Sequence, residues 1–159
     1  GNNSKARCFL RGRRMAEGAS SATSHSAGYR VYYEDTDAGG IVYHANYLHF
    51  CERARTEMLR SLGYENRQLY EETGILIIVR ALNASYDKPA YLDDWLDVAS
   101  RIQSMKHSSF IMQQDIWRDD QLIFSVAMTL VCVDLDGRPV KLPQTLRQAL
   151  IQFAEAGTT

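Results

Sequence analysis

The sequence predicts an α+β fold in which a curved antiparallel sheet of about five strands wraps one long central helix. A single apolar stripe of helical period runs through residues 46–62, and a series of β-branched and aromatic runs fills residues 75–133. The connections between those runs are brief, which suits an antiparallel meander. A helix with so apolar a face has to be covered, and a sheet curved around it does so.

Patterning begins at Tyr29, where Tyr29, Val31 and Tyr33 alternate with Arg30, Tyr32 and Glu34 as in a short strand. The acidic, glycine-rich stretch Asp35-Thr36-Asp37-Ala38-Gly39-Gly40 ends it, and the chain is expected to be irregular to about residue 46. A helix over residues 46–62 follows from Tyr47, Cys51, Ala54, Met58 and Leu62, which recur at intervals of four and three. Asn46 is its expected cap and Gly63 its left-handed C-terminal glycine. Glu52 with Arg55, and Arg53 with Glu57, are spaced as surface ion pairs. Residues 66–72 add a short helical turn before Gly74.

Strands are expected over residues 75–86, 95–104, 109–117 and 121–133. In the last, Leu122, Phe124, Val126, Met128, Leu130 and Cys132 share one face. Asp119-Asp120 suits a two-residue hairpin, Lys106-His107 another tight turn, and Asp136-Gly137 ends the series. A final amphipathic helix over residues 144–156 carries Leu146, Leu150 and Phe153 on one face. With neither an internal repeat nor a Pro-rich linker, residues 29–156 read as a single domain. Residues 1–28 read as a polar leader, in part an upstream extension with Met15 as a natural start, in which His25 has no role.

Composition narrows the function classes. The chain of 159 residues carries 18 Lys and Arg against 19 Asp and Glu, so a net charge of -1 gives no basic field to draw nucleic acid. Cys8, Cys51 and Cys132 are far apart and odd in number, as expected of reduced cytosolic thiols. The longest apolar run, Ile75 to Val79, falls far short of the roughly 20 residues a spanning helix needs. No apolar segment follows Arg11-Gly12-Arg13-Arg14 as a secretory signal would require, so no export is expected.

Chemistry concentrates in Tyr33-Glu34-Asp35-Thr36-Asp37-Ala38-Gly39-Gly40-Ile41-Val42-Tyr43-His44-Ala45-Asn46-Tyr47. Glu34, Asp35 and Asp37 lie just ahead of the longest helix, whose first N–H groups and positive dipole end await an anion or a polarised carbonyl oxygen. From residue types alone, Asp35 and Asp37 are turn formers and a helix-cap charge, as Asp beside Gly usually is. The other reading places a carboxylate at an electrophile site. A calcium loop fails, because Gly39 and Asn46 stand where an oxygen ligand and a bidentate acid belong. His44 could be a general base, a donor to substrate or a polar residue at the helix start, and its value rises if Asp37 lies within reach. Cys51 lies on the apolar stripe and reads as packing. The usual serine-hydrolase, P-loop, dinucleotide and zincin motifs do not occur.

The run VYYEDTDAGGIVYHANYLHFCERAR from Val31 to Arg55 strongly resembles the hotdog-fold acyl-CoA thioesterases of the 4-hydroxybenzoyl-CoA thioesterase class, most closely the Tol-Pal-associated YbgC-type branch. Tyr86-Asp87-Lys88-Pro89-Ala90 and Leu92-Asp93-Asp94 also look like that branch, so the resemblance runs from about Tyr29 to about Leu146. It implies a hotdog fold and a homodimer or homotetramer whose subunits pair sheet edges and share active sites. It also implies a cytoplasmic protein, with the inner-membrane surface as a peripheral location, and acyl carrier protein as a second partner. No cofactor is implied beyond the coenzyme A of the substrate.

Matched by position, the family's catalytic acid falls on Asp37, with Asp35 structural. His44 and Tyr33 should line the site, with the His44 N–H polarising the thioester carbonyl. Gly39 and Gly40 would let the chain pass close to the acyl thioester, with Val42 and Tyr43 beside them. Lys88, Lys106, Ser108 and Ser109 are candidates for the coenzyme A phosphates. Tyr43, Tyr47, Phe50 and Met58 could line an acyl pocket or fill the interior. Two rival functions remain open: a hotdog enoyl-CoA hydratase or dehydratase, and a module without catalytic activity that binds acyl carrier protein or envelope machinery and keeps the motif as structure.

Overall fold

The computed structural model describes residues 24–156. The expected leader, with Cys8 and Met15, therefore lies outside the described residues up to position 23. The elements are β1 (His25–Arg30), α1 (Asn46–Ser61), α2 (Asn66–Thr73), β2 (Leu76–Tyr86), β3 (Trp95–Met105), β4 (Ser109–Arg118), β5 (Gln121–Val133) and α3 (Gln144–Glu155).

One five-stranded antiparallel sheet runs in the order β1-β3-β4-β5-β2. β3, β4 and β5 form the expected meander, but β2 pairs with β5 rather than β3, so the chain crosses from one edge of the sheet toward the other between β2 and β3. Asp119, at φ 54°, makes the two-residue β4–β5 turn. The β3–β4 connection is longer than the expected pair, with Lys106 N–H donating to the Ser109 carbonyl at 2.7 Å.

The core lies between α1 and the sheet, where Phe50, Cys51, Ala54 and Met58 face Leu96, Phe110, Met112, Phe124 and Leu130. Each is removed from water, and a fully buried side chain of that size contributes about 1.5–3 kcal/mol. Gln114, on β4, is buried among them and satisfied, its amide donating to the Cys51 carbonyl at 2.8 Å and Ser100 Oγ at 2.9 Å. Leu146 and Leu150 of α3 join the same core.

Three local departures bear on the site. The first strand begins at His25, ahead of the domain boundary drawn at residue 29, and it ends at Arg30; Tyr33–Asp35 is a 3-10 turn instead. The cause is Asp35, whose Oδ2 accepts the Tyr32 N–H at 2.8 Å and closes the chain into a turn where alternation alone predicted a strand. His25 is half-buried in that strand. Ala45, not Asn46, is the N-cap of α1. Asn46 is already helical, and its side-chain amide reaches back to the Asp35 carbonyl at 3.0 Å, clamping the 3-10 turn to the helix start. Finally, neither Glu52–Arg55 nor Arg53–Glu57 is an ion pair, since Glu57 is 3.6 Å from Arg60 and Arg53 stands 5.9 Å from the Phe50 ring centroid.

Candidate active site

The turn ahead of α1 is fixed from several sides. Tyr43 N–H donates to the Asp35 carbonyl at 2.9 Å, and Asn46 N–H to the Tyr43 carbonyl at 2.8 Å. The peptide bearing the His44 N–H is thus held by its own carbonyl, and among the described residues no acceptor meets that N–H. The next peptide is held by Tyr86, whose hydroxyl donates to the His44 carbonyl at 2.7 Å. Upstream, Asp37 N–H donates to the Ile41 carbonyl at 2.9 Å and Gly40 N–H to the Asp37 carbonyl at 3.0 Å, folding 37–41 into a tight loop. Gly40 takes φ 77° there, a conformation closed to most side chains.

This loop presents the Asp37 carboxylate outward. Oδ1 accepts the Gly39 N–H at 2.8 Å, an Asx-type contact that orients the group. Gly39 has no room for a side chain without cost, since a Cβ would stand 3.2 Å from that same oxygen.

A cleft of about 310 Å³ opens here, lined by Asp37, Ile41, Val42, His44, Tyr47, Tyr86, Asp87, Lys88 and Pro89. Its far wall is built by the segment after β2. Asp87 and Lys88 N–H groups donate to the Ile123 carbonyl at 2.9 and 3.1 Å, and Val42 N–H donates to the Ala90 carbonyl at 2.9 Å. Ala90 N–H in turn donates to the Tyr47 hydroxyl at 3.1 Å. Arg118 braces the wall, donating to the Pro89 carbonyl at 3.0 Å and pairing with Asp94 at 2.8 Å. Behind it Tyr47 stacks on Phe124 with centroids 5.1 Å apart, and Tyr86 meets Phe124 edge-on at 5.0 Å. Burial raises the pKa of the Tyr47 phenol, opposed by the Ala90 N–H bonded to its oxygen.

The structure therefore brings Asp37, Val42, His44 and Lys88 together. Gly39 and Gly40 shape the loop behind them without bordering the cleft. Tyr33 is 81% exposed and away from the cleft, contributing its carbonyl to Thr36 instead. Tyr43 is half exposed, its ring 4.4 Å from the His44 ring. Lys106, Ser108 and Ser109 sit at the other end of the sheet. That turn adjoins the Phe110↔Leu130 pair and the cleft adjoins Tyr86↔Phe124, which separates them by roughly 20 Å along β5. Phe50 and Met58 are core. Cys51 packs in the core, out of reach of the cleft, and burial pushes its thiol up to about 12. Ile41, Tyr86, Asp87 and Pro89 are the lining residues that pattern reasoning missed, and of these Tyr86 and Asp87 bring polar side chains. Their signal was the resemblance of Tyr86-Asp87-Lys88-Pro89-Ala90, which carried no role for either side chain.

Among the described residues, no group of three His, Cys, Asp or Glu could hold a metal ion, and no helix is long and apolar enough to cross a membrane.

A five-stranded antiparallel sheet packed on α1, with a carboxylate loop ahead of that helix, is the hotdog arrangement, and the chain belongs to the thioesterase-like superfamily, whose family model matches residues 31–150. Within it, the chain is 42% identical over 121 residues to the acyl-CoA thioesterase YbgC of Haemophilus influenzae, covering 76% of this chain and 89% of that one. A solved structure of a probable thioesterase from Bartonella henselae superposes with a TM-score of 0.72 at 33% identity, over 76% of this chain and 99% of that one. The 4-hydroxybenzoyl-CoA thioesterase of Pseudomonas sp. strain CBS-3 does so with a TM-score of 0.76 at 25% identity, over 80% and 99%. The α+β hotdog fold read from the sequence is thereby borne out.

Proposed function

We propose that this chain is an acyl-CoA thioesterase, hydrolysing a thioester to a free acid and coenzyme A with Asp37 as nucleophile or general base. The observation that carries the reading is the meeting, in one cleft, of an outward carboxylate with a rigid turn whose His44 N–H has no acceptor among the described residues. The name of the Haemophilus relative supports the same reaction.

A thioester needs little activation, so the protein's work is to place an oxygen against the carbonyl carbon and hold the developing oxyanion. The His44 amide, fixed through the Tyr43 carbonyl and followed by a peptide that Tyr86 anchors, is a preorganised donor for that oxyanion. Such a donor is worth about 2.7–4 kcal/mol. Asp37 supplies the oxygen directly, giving a mixed anhydride that water opens, or removes a proton from attacking water. The His44 imidazole borders the same space and serves as a positioning group. Lys88 at the cleft wall is the cation for the coenzyme A phosphates.

We further propose a dimer formed through β2. Among the described residues that strand is an edge, with Leu76, Ile78, Val79 and Leu82 exposed along it, and an apolar edge without a neighbour is a template for a second strand. Antiparallel pairing of two such edges would carry the Lys106, Ser108 and Ser109 end of one sheet to the cleft end of the other, which restores those residues as phosphate contacts made in trans. The cytoplasmic location, the Tol-Pal association and the acyl carrier protein partner belong to this reading through the family resemblance.

The test is a panel of short, long and aromatic acyl-CoAs followed by thiol release, with crotonyl-CoA hydration followed in parallel. Thiol release is expected. Hydration without thiol release would establish the hydratase reading, and no turnover on any substrate would favour the binding module.

A further inference from the structure

The two flanks of α1 are treated differently by the fold. One packs on β1, with Phe50 and Tyr29 ring centroids 6.0 Å apart and the charges of Glu57 and Arg53 felt at Tyr29. At 100° per residue, Arg55 and Glu52 lie on the opposite flank. Arg55 turns inward there, its Nη1 3.1 Å from Met128 Sδ and 3.5 Å from Gln114 Oε1. Met128 is the β5 residue paired with Leu82 on edge strand β2, so this flank looks toward the open edge of the sheet.

Arg55 has no carboxylate partner among the described residues. Arg55 is partly buried, and a thioether and one long amide contact are poor replacements for the share of water its guanidinium has given up, which leaves the charge open to a counter-ion. Burial accordingly lowers its pKa, and the charge of Glu52 reaches it without contact. Glu52 is exposed one helical step away and, among the described residues, forms no ion pair either, although the spacing allows one.

The two unpaired charges are arranged so that each fits the other in a second copy. A two-fold axis running beside α1, level with residues 53 and 54, sets position 52 of one copy level with position 55 of the other, so two antiparallel helices flanking it would set carboxylate against guanidinium twice. We propose that Glu52 of each subunit pairs with the partner's Arg55 across the two-fold axis of the β2-edge dimer. The pair supplies the missing counter-ion and fixes the register of the edges. This inference rests on the dimer of the preceding section.

Two variants, Glu52→Lys and Arg55→Glu, test it by native mass spectrometry and analytical ultracentrifugation of the full chain. Each alone faces two like-charge contacts, and its dimer should dissociate at a concentration at least about tenfold higher than the wild type. When mixed, the two should recover dimerisation as heterodimers, in which both contacts are opposite in sign. Should Arg55→Glu fail to fold, the exposed Glu52→Lys variant suffices, since wild-type dissociation should rise with salt and that of the variant should not. A dimeric wild type with Glu52→Lys equally tight and equally salt-sensitive overturns the pair and leaves the dimer standing. A wild type monomeric at all concentrations overturns the dimer itself, and the pair with it.

Discussion

Replacing Tyr86 by Phe removes one hydroxyl and keeps the ring. In the folded chain that hydroxyl donates to the His44 carbonyl at 2.7 Å, while the ring meets Phe124 and Tyr47 with centroids 5.0 and 5.6 Å apart. The ring contacts survive, so the change isolates one bond. A neutral hydrogen bond contributes about 0.5–1.5 kcal/mol net. Tyr86 is half exposed and water can take over the freed carbonyl, which places this bond at the low end, about 0.5–1 kcal/mol. For a domain of this size that is a loss of roughly 2–5 °C in Tm. The effect on turnover should be greater, because the bond pins the peptide next to the His44 N–H, and an imprecise oxyanion donor forfeits part of its contribution. We expect kcat to fall about 3- to 10-fold with KM little changed, since the donor acts on the transition state. Thiol release from the best acyl-CoA, together with a thermal melt, measures both. An unchanged kcat and Tm would show that the bond does not hold the turn, and a loss of 10³-fold or more, far beyond one anchoring bond, would make the hydroxyl a reacting group.

Further consequences can be checked separately. Gly39→Ala would press a methyl on Asp37 Oδ1 and should lower kcat with Tm nearly unchanged, whereas Gly40→Ala, at φ 77° with open space around it, should cost about 1 kcal/mol of stability; equal effects of the two on a melt and on turnover would contradict the loop geometry. His25 is held below its ordinary pKa of 6.5, first by burial and against the opposing charge of Glu57, so the unfolded chain binds its proton more readily. Stability present above pH 6.5 is then lost as the pH falls through 6.5 toward the folded value, and His25→Gln should shrink the Tm difference between neutral and mildly acid buffer; an unaltered pH dependence refutes this. Cys51, pushed up to about 12, should resist iodoacetamide in the native protein and react in urea, as peptide mapping would show; native labelling at Cys51 would disprove its burial.

Much of this architecture was legible in the residues. Strands and helices after residue 46 fall where periodicity put them, because long runs such as Leu122 to Cys132 bury one face and leave no choice of register. The segment before residue 46 was misread where a local contact outweighs the pattern: Asp35 closes a turn over Tyr33, and Asn46 serves that turn rather than the helix cap. The place of β2 was hidden for another reason, since strand order depends on pairings distant in sequence. At the site, Asp37 and His44 were found through one continuous motif. Tyr86 and Asp87 were not assigned, because they reach the cleft from the far edge of the sheet. The surface pairs at Glu52 and Arg53 failed because spacing fixes which side chains share a helix face, and Arg55 found a way inward.

The claim on which the rest depends is that the Asp37 carboxylate performs the hydrolysis. Purified wild type and Asp37→Asn should be compared for thiol release on the same acyl-CoA, with sedimentation and a thermal melt as controls. Loss of about 10²–10⁴-fold in kcat, with assembly and Tm unchanged, is the predicted result. An Asp37→Asn protein that turns over at the wild-type rate would contradict it.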